Sequence, residues 1–133
     1  MGDFMVIEID SKLRKRLESI LEKVARDINL EALAIFTREG RNVAFWSAEK
    51  NVDPDLLSAT SAALLAIGDQ TIRKLDKGEI WEVIVRGSRG YAVMTKAGTE
   101  LLLIGVGIHI VNLSIIVKIL RETARKLGEI LSS

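Results

Sequence analysis

The stretch LLSATSAALLAIGDQTIRKL, residues 56–75, reads as one long helix whose apolar and small side chains cover more than a single stripe. Asp53-Pro54 before it supplies an N-cap followed by proline at the first helical position, and Gly78 beyond it helps end the helix. Leu57, Leu64, Ile72 and Leu75, with Ser61 and Gly68 between them, predict the face that packs on a sheet. Ser58, Ala62 and Ala66 recur every fourth residue with Ala59 and Ala63 beside them, predicting a second flank of small side chains. Ala alone does not demand a contact, because it is the best helix former at any exposed position. A solvated flank normally carries Lys and Glu, however, and no charged residue stands between Leu56 and Gly68. A chain of 133 residues is too small to bury a helix all round, so this flank is expected to dock on another chain.

Outward from this helix the chain alternates simple signals. Leu13, Leu17, Ile20, Leu21, Val24, Ala25 and Ile28 fall at helical spacing behind a cap at Asp10 or Ser11. LEALAIFT (30–37) and NVAFWSA (42–48) are two short apolar runs joined by REGR, where Gly40 can take the positive φ of a tight hairpin. EIWEVIVRG (79–87), YAVMTKA (91–97) and ELLLIGVGI (100–108) predict three more strands around GSRG and AGT turns. Asn112 caps a last helix with Leu113, Ile116, Val117, Leu120, Ala124, Leu127 and Leu131 on one stripe. The order αββαβββα predicts an α+β chain with an antiparallel sheet, and residues 1–133 are expected to form a single domain without linker or repeat.

If EIWEVIVR lies at a sheet edge, its unpaired backbone groups invite a second strand, and pairing with a symmetry mate would suit a twofold interface. The expected dimer interface is therefore Ser58, Ala59, Ala62, Ala63 and Ala66 on the helix, with Ile80, Trp81, Val83 and Val85 on the strand.

Composition narrows the function. The net charge of +1 argues against a dedicated nucleic-acid binder, although residues 11–28 and 111–131 together carry +5 and the remainder −4. Absence of Cys removes disulfide and thiolate chemistry and fits an intracellular, cytoplasmic setting. MGDFMV has no apolar signal core, and Val6 stands where a myristoylation motif wants Ser or Thr, so no targeting segment is read. The longest uncharged run, Leu101 to Val117, is broken by Gly105, Gly107, His109, Asn112 and Ser114 and reads as a strand leading into a helix, not a membrane span.

Chemistry is scarce. His109, the only histidine, has no partners for a metal site or a triad, and GVG at 105–107 lacks the rest of a phosphate loop. No catalytic, cofactor or metal residue is assigned. Arg38, Arg41, Arg86 and Arg89 lie in expected turns, and nothing singles one out as a trans-acting arginine. Trp46, Trp81 and Tyr91 read as strand residues that pack in the core or at an edge.

The ordered set of IFTREGRNVAF, the charge-free middle helix, GYAVMTKAGTELLLIGV and NLSIIVKILRETARKL resembles the Roadblock/dynein light chain family, from about Leu17 to Leu131. That resemblance implies a five-stranded antiparallel sheet with the middle helix on one face and the terminal helices on the other. It implies homodimers joined through middle helices and third strands, which act as non-enzymatic regulators or scaffolds of Ras-like small GTPases, as in prokaryotic members. Gly105 and Gly107 stand where the family commonly has larger apolar residues, so packing beneath that strand is expected to differ. The competing readings are an adaptor subunit of a larger assembly and a small-molecule sensor. Against the sensor, the strands show no convergent polar groups among their apolar residues.

Overall fold

The computed structural model describes residues 10–108 and 112–132, so the start MGDFMV and His109 lie outside the described residues. Helix α1 spans Ser11–Asp27, strands β1 and β2 Ala32–Thr37 and Asn42–Ser47, helix α2 Pro54–Lys74, strands β3, β4 and β5 Glu82–Gly87, Gly90–Ala97 and Leu101–Gly107, and helix α3 Leu113–Ser132. The expected order holds.

Local chemistry explains the helix ends. The Asp10 carboxylate accepts from the Leu13 N–H at 2.7 Å, Asp53 caps α2 by accepting from Asp55 and Leu56, and Asn112 accepts from Ile115 at 3.2 Å. α2 ends at Lys74 with Leu75 as its C-cap, close to the expected end. Asp76 turns left-handed at φ 56, its N–H reaching Arg73 O and that of Lys77 reaching Ile72 O, both at 3.0 Å. Asn29, at φ 58, closes α1 by the same device, an αL cap that Asn and Asp tolerate better than most side chains.

All strand pairings are antiparallel, in the order β2-β1-β5-β4-β3. Alternation along β1, β4 and β5 feeds two cores. Leu33, Ile35, Val93, Leu101 and Leu103 pack with Leu17 and Leu21 of α1 and Leu120 and Leu127 of α3. Ala34, Phe36, Met94, Leu102 and Ile104 meet Ala62 and Leu65 of α2. The middle helix therefore covers one face and the terminal helices the other. Each large side chain buried in these layers contributes ~1.5–3 kcal/mol relative to exposure, before the cost of ordering it.

The strand glycines serve the packing of the terminal-helix face. A Cβ at Gly105 would stand 3.1 Å from Leu30 Cδ1 and 3.2 Å from Leu120 Cδ1, so these leucines occupy the space that a larger residue would take. Many of the charges on α1 and α3 are paired along their own helices, as in Glu22–Arg26, Lys23–Asp27 and Arg125–Glu129.

Candidate interaction surface

Helix α2 lies close to the sheet because several of its inward residues are small. Ser58, Ser61, Ala62 and Leu65 are buried, and Gly68 approaches so closely that a Cβ there would be 2.8 Å from Ile80 Cδ1. At the other end of the helix Asn42 Nδ2 donates to Ser58 Oγ at 3.4 Å, and the β1–β2 hairpin turns at Gly40, φ 90, against the backbone of Ala59. Bulk comes from the sheet, through Phe36, Met94, Leu102 and Ile104, so the helix supplies little of it.

This corrects the face assignment read from the sequence. Of the expected packing stripe, Leu57 and Ile72 are half-buried, but Leu64 and Leu75 are 40% and 60% exposed. Of the expected outer flank, Ser58 and Ala62 are buried inside the chain, as is Ile80, whereas Ala59, Ala63 and Ala66 are exposed. The outward face also carries Leu56 at 63% and Ile67 at 62% exposure, with Thr60 between them. The helical spacing of 56, 60, 63 and 67 marks this outward stripe in the sequence, and Leu64 lies on its side of the helix, not on the sheet side.

Beside this helix face runs an open sheet edge. β3 is an outer strand, paired only with β4 through Glu82↔Thr95 to Gly87↔Gly90. Val83 is half-buried near Gly68, while Ile84 and Val85 are exposed. Trp81 precedes the strand instead of lying in it, and it is 67% exposed with the Arg121 guanidinium 4.7 Å from its ring centroid. Arg121 also pairs with Glu82, tying α3 to the base of the edge strand. Trp46 does lie in β2, under Arg26 at 5.4 Å, and Tyr91 is buried in β4. The result is a charge-free apolar helix face next to unpaired backbone groups, an arrangement suited to docking another chain. Among the described residues no group of three or more His, Cys, Asp or Glu side chains could hold a metal ion, and no helix is long and apolar enough to cross a membrane.

A family model for the Roadblock/LC7 domain matches residues 16–106, from within α1 through nearly all of β5. The chain belongs to the Roadblock/LC7 family. Solved structures agree on the Roadblock fold. "MglB with tetrameric arrangement" superposes with a TM-score of 0.84 at 20% identity, covering 94% of this chain and 93% of its own. The gliding protein MglB of Thermus thermophilus gives 0.82 at 20% identity with 94% of both chains covered, and Myxococcus xanthus MglB gives 0.79 at 14%, with 88% and 95% covered. No curated protein sequence matches the chain. At these identities the likeness is one of fold, and function must be argued from the Roadblock chain's own surface.

Proposed function

We propose that this Roadblock chain is a homodimeric, non-enzymatic regulator or scaffold that binds a Ras-like small GTPase in the prokaryotic cytoplasm and modulates its GTP/GDP cycle. The observation that carries the reading is the exposed face of Leu56, Ala59, Ala63, Leu64, Ala66 and Ile67, uncharged throughout and adjoining the free β3 edge. Two such faces packed about a twofold axis, with β3 against β3, would remove both exposed features at once. Ala59, Ala63, Ala66, Trp81, Val83 and Val85 keep their proposed interface role, joined by Leu56, Leu64 and Ile67. Ser58, Ala62 and Ile80 support that interface from beneath.

In this reading, regulation acts by favouring one conformation of the GTPase switch loops. The test is a pull-down from a prokaryotic lysate with the chain as bait, run in excess GDP or a non-hydrolysable GTP analogue, followed by mass spectrometry. Nucleotide-dependent retention of a small GTPase supports the reading. Recovery of other proteins alone would favour an adaptor subunit instead.

A further inference from the structure

On the flank of α2 toward the sheet end, a cleft of about 300 Å³ opens between helix and strands. Its floor is apolar, formed by Leu65, Ile80 and Leu102, each at most 7% exposed. Its rim gathers three cations from separate elements: Arg38 from the β1–β2 hairpin, Arg73 from the last turn of α2 and Lys96 from β4. We propose that this cleft binds a small organic anion, a carboxylate or phosphate ester with a short apolar body.

The charges facing the cleft support an anion. Asp69 is the one carboxylate in its lining, and it is engaged by Arg73 Nε at 3.0 Å. Glu79 reaches Lys96 at 3.6 Å from a largely exposed position outside the lining. Arg38 donates from Nη1 to the Thr99 carbonyl at 3.3 Å, which leaves its other N–H groups available. Gln70 adds an amide at the rim. An anionic head would lie among three donors on different elements while its body covers the apolar floor, the combination of apolar lining and a few convergent polar groups that marks ligand sites. The volume sits at the small end of the usual range and limits the body to about one ring. These polar groups are the ones that the strands alone did not reveal. The cleft borders Ala66, so its occupant would touch the same helix that carries the exposed apolar face.

The experiment is a titration of the isotope-labelled full chain with phenyl phosphate, benzoate and inorganic phosphate, followed by amide NMR. Phenyl phosphate and benzoate are expected to give saturable shifts centred on Ala62, Ala66, Lys96 and Leu102, with phosphate at least threefold weaker. Arg38→Ala at an exposed position and Lys96→Ala at a half-buried one should each weaken phenyl phosphate at least fivefold, while Lys15→Ala on α1 should not change it. Shifts spread over surface lysines without saturation, no shift with any probe at millimolar concentration, or equal loss in Lys15→Ala would overturn the proposal. The oligomeric mass measured on the same samples reports separately on the dimer.

Discussion

Tyr91 lies across Gly107, its register partner on the neighbouring strand, so closely that a Cβ on that glycine would stand 2.5 Å from the tyrosine hydroxyl oxygen. The missing side chain of one residue is the site of the other. Gly107→Ala must therefore displace a buried ring, and overpacking of this kind costs ~1–3 kcal/mol. Chemical denaturation should show that loss, and an unchanged midpoint would mean that the ring moves freely.

The Tyr91 hydroxyl is buried without a hydrogen-bond partner among the described residues. Tyr91→Phe removes an unsatisfied polar atom and keeps the ring, so stability is expected to rise by ~1 kcal/mol. Burial also raises the pKa of this phenol above its ordinary 10.0. The unfolded chain then loses its proton first as pH rises past 10, so the folded state loses stability from there up to its own higher pKa. Tyr91→Phe should flatten that alkaline decline in a pH series of melting curves.

Ala63→Glu or Ile67→Glu places a charge on the outward face of α2, where the single chain tolerates it within ~0.5 kcal/mol. Light scattering should show a dimer for the parent chain at micromolar concentration and a monomer for either variant. Ala62→Glu would not be equivalent, because Ala62 is 7% exposed and its substitution would damage the fold itself.

Gly68 sets how closely α2 approaches the sheet. Gly68→Ala gains about 1 kcal/mol of helix propensity, offset by displacing the flexible end of Ile80, so its melting temperature should stay near that of the parent. Gly68→Val adds bulk toward Val83, 3.2 Å from the position of a Cβ, and should lower stability by ~2 kcal/mol.

If the bound GTPase hydrolyses GTP faster, Arg38→Ala, Arg41→Ala, Arg86→Ala and Arg89→Ala are each expected to leave stimulated turnover within about threefold. An arginine acting on the transferring phosphoryl group contributes about a thousandfold or more. A loss of that size in single-turnover assays would replace the switch-loop mechanism with an arginine supplied in trans.

Much of this protein was set by the sequence through interactions local enough to read. Asp10, Asp53-Pro54 and Asn112 start helices because their side chains or ring act within a turn, and Gly40 makes the hairpin because its φ is 90. The periodicities of the segments then specify αββαβββα, and the uncharged run from Leu56 to Gly68 shows that α2 has a second face. Which residues occupy that face was a tertiary decision. Hydrophobicity along the helix pointed Leu64 inward and Ser58 outward, but the sheet beneath is already filled by Phe36, Met94, Leu102 and Ile104. Close packing over such a surface favours serine, alanine and glycine at the contact, and Leu56, Leu64 and Ile67 are left facing out. The same holds for Arg38, Arg73 and Lys96, which come from a hairpin, a helix end and a strand, and which only the packing of α2 on the sheet brings to one cleft.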